Sequence, residues 1–279
     1  MNQKENAANN ATKKVWGTNP AGWTHAPEKK VGSKDFFDDV LQKRFDHELP
    51  WLPEVVHFEN YTGKKVLEIG CGAGYDAYMF CKNNADYTGI DLVPENIKRT
   101  QAHLSYYGYK PFILEMDAAQ MEFSEKFDFI YSFGVLHHIF DIEKVLKQSY
   151  YHLKDDGKAL FIVYHKNSIF YWLSVVLRNW ILPGRFLKEP LEKTVSRIEQ
   201  VGSKDLPLVR VYTKNEFTVL LDKAGFKVTD TKIRKLNRED LPSLYRFSAI
   251  YRLIPQKFLD ISATWWGWYL CVEAVKDRK

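Results

Sequence analysis

The sequence predicts an α/β protein whose core is a doubly wound, mostly parallel sheet of seven strands, with an N-terminal helical lid and a helical insert after the fifth strand. Five short segments rich in aliphatic and β-branched residues recur between residues 64 and 165, and helical segments separate them. The first of the five runs into a glycine-rich turn, and two further strand-like segments, 226–236 and 268–276, close the chain. Strands that alternate with helices form right-handed crossovers, so the helices cover both faces of a parallel sheet.

The composition of the N-terminal 32 residues predicts a flexible arm, because this segment is rich in Asn, Lys, Ala and Pro and shows little hydrophobic periodicity. The exception is the stretch 15–23, whose tryptophans we expect to fold back onto the body, since large rings are costly to leave in water. Ser33 is then a suitable N-cap for a helix over 34–49, which Pro50 ends.

The alternation of strands and helices follows this first helix. Strands are predicted at 64–70, 86–92, 111–117, 127–134 and 158–165. Helices are predicted between them at 75–84, 94–107 and 141–153. Pro94 suits the first turn of the second of these helices, and Gly108 suits its C-terminal end.

The regular alternation of strands and helices ends after residue 165. We expect a substrate-recognition insert over about 166–210, followed by a helix that begins with a capping box of Thr213 and Glu216 and stops at Gly225. A helical segment over 241–254 separates the two closing strands. Residues 33–279 are therefore predicted to form a single domain.

Composition narrows the class of protein. A hydrophobic content of 45% supports a sizeable core, and the net charge of +5 is spread along the chain, which does not indicate nucleic-acid binding. The three cysteines form no CxxC pair, and no secretory signal precedes the domain, so we expect a cytoplasmic protein without disulfides. The longest apolar run, 169–177, is far shorter than the roughly 20 residues of a membrane-spanning helix.

The glycine-rich turn is the sharpest functional signal. Gly70, Gly72 and Gly74 follow a buried strand and precede a helix, which lets a ligand approach the main chain closely. A dinucleotide-binding loop places its third glycine one position later. Glu68, within the strand, would repel a pyrophosphate and suit a ligand with positive charge. These features favour S-adenosylmethionine over a nicotinamide dinucleotide.

Two carboxylates follow at the ends of the next strands. Asp91 lies about 20 residues beyond the loop, where a carboxylate can accept hydrogen bonds from both ribose hydroxyls. Asp117, beside Ala118, ends the third strand and can accept from an adenine amino group.

In the order and spacing of these motifs, the chain resembles the class I S-adenosylmethionine-dependent methyltransferases, in particular the group of quinone-biosynthesis and related small-molecule enzymes. The resemblance extends over residues 35–166 and, more loosely, 209–226. It implies methyl transfer to an oxygen, nitrogen, carbon or sulfur atom of a small acceptor. It also implies a set of cofactor-binding residues: Glu68, Gly70, Cys71, Gly72 and Gly74 around the methionine end, Asp91 and Leu92 at the ribose and adenine, Asp117 and Ala118 at the adenine, and Ser132, Phe133 and Gly134 along the border.

The stretch 16–23 is similar to a lead-in of bacterial methyltransferases, which would make Trp16 and Trp23 a lid; simple packing is the alternative.

Four polar residues are candidates for the catalytic side of the pocket, because they follow strand ends. They are His137, Tyr164, His165 and Tyr212. Histidine near its neutral pKa suits the removal of a proton from an oxygen or nitrogen nucleophile, so His137 and His165 are candidate bases. The alternative is that His137 shapes the wall and His165 caps a strand. His138 is expected to pack, and adjacent histidines without a third ligand do not indicate a metal site.

Three questions stay open at the level of the sequence. The aromatic segment 169–187, with basic residues near it, predicts a lid, a membrane-surface helix or a subunit contact, and would suit an anionic or lipid-linked acceptor. The oligomeric state is not indicated. The function has two alternatives: a nicotinamide-dependent oxidoreductase, against which Glu68 and the early third glycine weigh, and a non-catalytic S-adenosylmethionine-binding subunit.

Overall fold

A computed structural model describes residues 3–18, 20–199, 205–241 and 254–277. Its core is a seven-stranded sheet, as the sequence predicts. The strands are β1 (Lys65–Ile69), β2 (Asp86–Asp91), β3 (Phe112–Glu115), β4 (Phe127–Phe133), β5 (Leu153–Tyr164), β6 (Phe226–Arg234) and β7 (Tyr269–Lys276). Their order is β3-β2-β1-β4-β5-β7-β6. The first five pair in parallel, whereas β7 runs antiparallel to both β5 and β6.

Helices cover both faces of this sheet. They are α1 (Gln3–Thr18), α2 (Lys34–Lys43), α3 (Leu52–Val56), α4 (Tyr75–Lys82), α5 (Pro94–Ser105), α6 (Ile142–His152), α7 (Leu191–Ser196), α8 (Lys214–Lys223) and α9 (Gln256–Trp266). A further helix over Phe170–Ile181, here called the aromatic helix, has wider turns. One core cluster joins one face of the sheet to α3, α4 and α5, and a second joins the opposite face to α6 and α8. This is the doubly wound arrangement that the sequence predicts.

The predicted helix signals are confirmed where they depend on local hydrogen bonds. The Ser33 hydroxyl accepts from the backbone N–H of Phe36 and begins α2. Thr213 and Glu216 form the reciprocal capping box of α8, and Gly225 follows that helix with a φ of +95°. Short-range chemistry therefore set these boundaries.

The N-terminal segment differs from the prediction of a flexible arm. Residues 3–18 form α1, and Val15 on this helix is only 1% exposed. The segment has almost no apolar periodicity, which is why it resembled a disordered arm. Its helical state depends on contacts with α5 and with the loops beyond β3, which lie about 100 residues away.

The insert after β5 contains the aromatic helix and α7. One side of the aromatic helix is buried and carries Tyr171, Val175 and Val176. The other side is open: Trp172 is 51% exposed, and Leu182, just beyond the end of the helix, is 69% exposed. The predicted helical segment at 241–254 lies almost wholly outside the described residues. In the described part of the chain, no helix combines the length and apolar character needed to cross a membrane.

Candidate active site

Two adjoining cavities open at the C-terminal ends of the parallel strands, where open α/β sheets bind their ligands. The first, called the cofactor cavity here, has a volume of ≈ 160 Å³. The cofactor residues predicted from the sequence that line it are Trp16, Gly70, Gly72, Asp91, Leu92, Asp117, Ala118, Phe133 and Gly134. Glu68 and Cys71 line only the second cavity. Gly74 and Ser132 line neither of the two.

The three glycines of the loop serve different purposes, although all have positive φ. A Cβ on Gly70 would lie 2.3 Å from a methyl group of Val135, and one on Gly74 would lie 2.9 Å from a methyl group of Thr100. A Cβ on Gly72 would have no described atom within 4 Å, because this glycine faces the cavity. Gly72 therefore keeps the backbone open to a ligand, whereas the other two permit close packing.

Asp91 is anchored at the floor of the cofactor cavity. Its carboxylate accepts hydrogen bonds from the backbone N–H groups of Gly72 (2.9 Å) and Val93 (2.8 Å) and from the side-chain amide of Asn96 (3.3 Å). Burial raises the pKa of Asp91 to about 6, even though these hydrogen bonds favour the charged form. The carboxylate is thus oriented in advance, and about one of its four lone-pair positions is left for a donor on a ligand.

The environment of Glu68 corrects one step of the sequence argument. Its side chain is 3% exposed and accepts a hydrogen bond from the hydroxyl of Tyr87. Burial, together with the charge of Asp76, raises the pKa of Glu68 well above its usual value. Burial thus disfavours the charged form of Glu68, which weakens the argument that a Glu68 charge repels a pyrophosphate.

Asp117 lies at the far end of the cofactor cavity, beside Ala118. Its carboxylate accepts from the backbone N–H of Ala119 at 2.9 Å, and the side-chain amide of Asn9 on α1 lies 3.4 Å from its other oxygen. Ser132, by contrast, donates to the backbone carbonyl of Ile69 and holds β4 beside β1.

The second cavity, called the acceptor cavity here, shares Trp16, Gly72 and His138 with the first. Its walls include six aromatic side chains besides Trp16 and Tyr75: Trp23, Phe133, Tyr164, Phe170, Trp268 and Tyr269. Tyr164 and Trp268 stack with ring centroids 4.3 Å apart. A flat, apolar group fits such walls, because offset aromatic stacking adds to the burial of apolar surface.

The charged groups of the acceptor cavity are paired. Arg44 forms a two-pronged ion pair with Asp76, at 3.0 Å to each oxygen. Glu48 lies 2.9 Å from a ring nitrogen of His25 and 3.7 Å from the ammonium of Lys235. Burial opposes the charge of Glu48, but the His25 hydrogen bond and the nearby cations hold its pKa at about 2. The cations are therefore already neutralised within the protein.

The two adjacent histidines occupy the opposite positions to those predicted. His137 is fully buried, lines neither of the two cavities and stacks on Tyr164 at 3.7 Å. His138 lines both cavities. A ring nitrogen of His138, Nδ1, lies 2.8 Å from the carbonyl of Leu208, and its Nε2 has no hydrogen-bond partner in the described part of the chain. Within the turn Leu136–His138, the ring of His137 is therefore buried and the ring of His138 borders the two cavities.

The other predicted catalytic residues are dispersed. Tyr164 lines the acceptor cavity, and its hydroxyl donates to Glu199. His165 lines neither the cofactor nor the acceptor cavity; its Nδ1 lies 3.1 Å from the carbonyl of Gly267, which agrees with a strand-end role. Tyr212 faces a separate groove beside α8. Only Tyr164 of the four predicted catalytic residues lies at the acceptor cavity.

Several site residues escaped the sequence analysis. Asn9 and Thr12 sit in a segment without periodicity, and Asn96 looks like an ordinary residue of a helix first turn. Glu199 lies in the irregular insert. His138 could be distinguished from His137 only through Leu208, which lies 70 residues further along the chain.

Comparison with known proteins identifies the family. The family described as "Methyltransferase domain" matches residues 41–231. The ubiquinone biosynthesis O-methyltransferase of Chromobacterium violaceum is 30% identical over 178 residues, which cover 57% of this chain and 76% of that protein. The enzyme of the same name from Rickettsia conorii is 24% identical over 140 residues, and the match spans only 48% of its length. Several other curated relatives are likewise spanned over about half of their length.

Solved structures share the fold. A magnesium protoporphyrin IX methyltransferase from Synechocystis, solved with bound S-adenosylmethionine, superposes with a TM-score of 0.56 at 13% identity, over 97% of each chain. An S-adenosylmethionine-dependent methyltransferase from Mesorhizobium loti gives 0.57 at 19% identity, over 82% of this chain and 99% of that one. Neither the oxidoreductase nor the non-catalytic alternative finds support among these matches. The chain belongs to the methyltransferase-domain family and is a class I S-adenosylmethionine-dependent methyltransferase.

Proposed function

We propose that this methyltransferase methylates a hydroxyl group on a small aromatic acceptor that binds in the acceptor cavity. The observation that carries the proposal is the position of His138, which borders both cavities and has a ring nitrogen without a partner among the described residues. The names of the curated relatives, O-methyltransferases of ubiquinone biosynthesis, support oxygen as the methylated atom.

The residues of the cofactor cavity have proposed roles that match their chemistry. Asp91 accepts from a ribose hydroxyl, Asp117 accepts from the adenine amino group, and Gly72 lets the cofactor contact the backbone. Leu92 and Ala118 supply apolar contact with the adenine, and Trp16 covers the cofactor. The bound cofactor supplies a methyl group on a sulfonium that is already activated, so the chain mainly aligns the two reactants and excludes water.

His138 is proposed as the general base. With its Nδ1 hydrogen donated to the Leu208 carbonyl, the lone pair of the ring lies on Nε2. Burial lowers the pKa of His138, so the ring is neutral at pH 7 and ready to accept a proton. The acceptor oxygen attacks the methyl carbon as the carbon–sulfur bond breaks, and its proton passes to Nε2. The negative charge of Glu199 acts in the opposite direction and raises the pKa of His138. It would therefore stabilise the imidazolium that forms when His138 accepts the proton.

The acceptor is proposed to be a neutral phenol or catechol rather than an anion. Lys235 and Arg44 have carboxylate partners already, and the carboxylates of Glu48 and Glu199 disfavour a negative ligand while accepting hydrogen bonds from hydroxyl groups. A lipid-linked substituent would leave the cavity along the aromatic helix, whose Phe170 lines the wall.

The organisation of the chain is proposed accordingly. Residues 33–279 act as one domain, with the segment 166–210 as the acceptor-recognition insert and α1 as the cover of the cofactor cavity. The three cysteines are free and buried, which supports a reducing, cytoplasmic setting.

A methyl-transfer assay tests this function. The protein is incubated with methyl-labelled S-adenosylmethionine and with matched ring compounds that carry a hydroxyl, an amino or a thiol group, each with and without a prenyl chain. Products are identified by mass spectrometry. We expect label on the hydroxyl compounds, and Asp91→Ala should abolish it at limiting cofactor. Label on the amino or thiol compounds alone would contradict the proposal.

A further inference from the structure

The helix α1 forms one wall of the cofactor cavity. Asn9, Thr12 and Trp16 follow each other at intervals of three and four residues, so they share one face of the helix, and all three line the cavity. The ring of Trp16 also lies 5.7 Å from that of His138. A cofactor bound there would lie between α1 and the sheet, in contact with this face of the helix.

The C-terminal end of α1 is held by one side chain. The guanidinium of Arg99, on α5, donates to the backbone carbonyls of Trp16 (2.9 Å), Gly17 (2.6 Å) and Thr18 (3.4 Å). The last turn of α1 contains no basic residue of its own. Arg99 therefore supplies both the hydrogen-bond donors and the positive charge that favour a helix C-terminus.

The same guanidinium connects α1 to the floor of the cavity. Arg99 donates to the side-chain oxygen of Asn96 at 3.0 Å, and the amide nitrogen of Asn96 donates to Asp91 at 3.3 Å. Asn96 is 6% exposed, so its amide has little freedom to turn. Hydrogen bonds through Arg99 and Asn96 thus connect the carbonyls of α1 to the Asp91 carboxylate in the cofactor cavity.

We infer that Arg99 is a positioning residue for the cofactor: it holds α1 closed over the occupied cavity, and Asn96 ties that closure to the state of Asp91. The inference rests on the proposed roles of the cofactor cavity and of Asp91. The charged Asp91 carboxylate accepts from the Asn96 amide nitrogen, which leaves the Asn96 oxygen facing Arg99. Without Arg99, the cavity keeps its shape but loses its cover, so the cofactor leaves faster.

Binding of S-adenosylhomocysteine to the full chain tests this inference. We expect Arg99→Gln to raise the dissociation constant about tenfold, mainly through faster dissociation, because several charge-assisted hydrogen bonds are lost. Arg99→Lys should lie in between, since one ammonium cannot reach three carbonyls at once. Lys98→Gln, which changes the exposed neighbour on the same helix, should stay within about twofold of the original chain.

Hydrogen exchange separates positioning of α1 from general destabilisation. S-adenosylhomocysteine should protect the amides of residues 3–18 in the original chain and in Lys98→Gln, and this protection should be lost in Arg99→Gln while α5 and β2 keep theirs. Unchanged affinity and protection in Arg99→Gln would overturn the inference, and so would an equal loss of protection in α1, α5 and β2. Neither measurement uses an acceptor, so a failure of the proposed O-methylation is detected separately.

Discussion

The orientation of single side chains determines which residues face the two cavities. This orientation is the feature that the sequence alone predicted least well. Asp91 could be predicted, because it ends a strand at a fixed distance from the glycine loop. The choice between His137 and His138 could not, because two neighbours in a tight turn point in different directions. Which one faces the ligand depends on the segment around Leu208, which packs beside the turn through a hydrogen bond from His138.

The two histidines should respond differently to substitution. We expect His138→Ala to lower kcat about 10²- to 10⁴-fold, the usual contribution of a general base, with little change in affinity for S-adenosylhomocysteine. His137→Phe keeps the ring stack on Tyr164 and removes two buried ring nitrogens that lack partners in the described part of the chain. It should retain kcat and unfold no more easily than the original chain. A large loss of kcat in His137→Phe alone would reverse the assignment.

The pKa of Asp91 makes cofactor binding depend on pH. A ribose hydroxyl donates to the charged carboxylate, so binding requires Asp91 to lose its proton. Because that pKa is about 6, affinity for S-adenosylhomocysteine should be constant above about pH 7 and should fall, by up to about tenfold per pH unit, below about pH 6. Calorimetry from pH 5 to 8 measures this. In Asp91→Asn the affinity should be weaker and flat over the same interval; a slope that persists in this variant would point to another group.

At the scale of elements, the strands and the capped helices could be predicted because their signals are local. The alternation of apolar segments, the Ser33 cap and the Thr213–Glu216 box all appear in the structure where the sequence indicates them. The helix α1 could not be predicted, since its own residues contain little apolar pattern and its support comes from α5. The loop between β1 and α4 was predicted correctly as an element, but the separate purposes of its glycines depend on Val135 and Thr100.

Substitution of two loop glycines should separate folding from binding. Gly72→Ala places a methyl group in open space at the ligand, so the chain should fold with a loss of about 1 kcal/mol, the cost of a left-handed residue, and bind S-adenosylhomocysteine at least about tenfold more weakly. Gly70→Ala forces the methyl group against Val135, so it should lower the midpoint of thermal unfolding clearly more than Gly72→Ala does. Equal unfolding midpoints in the two variants would contradict this distinction.

At the scale of the whole molecule, buried ionisable groups link stability to pH. Burial lowers the pKa of four imidazoles, those of His103, His137, His138 and His165. The unfolded chain therefore binds protons below about pH 6.5 that the folded chain does not, and stability falls as the pH decreases. Burial also raises the pKa values of Glu68 and Asp91, which act in the opposite direction because the folded chain then holds their protons.

The balance of these groups gives a measurable slope. Four imidazoles take up protons on unfolding and two carboxyl groups release them, so the groups that destabilise the fold as the pH falls outnumber those that act against them. The free energy of unfolding of the cofactor-free chain should thus decrease between pH 7 and pH 5.5 in urea titrations. His137→Phe, which removes one of the imidazoles, should make this decrease shallower; a free energy that rises toward pH 5.5 would show that the carboxyl groups dominate.

The position of β7 has a consequence for the order in which the protein is completed during synthesis. This strand is the last in the described chain, yet it lies between β5 and β6, so β6 has no neighbour in the sheet until β7 leaves the ribosome. The strands β1 to β4, which carry the cofactor cavity, can pair much earlier. Trp268 and Tyr269, which line the acceptor cavity, arrive with β7. A nascent chain therefore completes the proposed site for its methyl donor before it completes the proposed site for the molecule to be methylated.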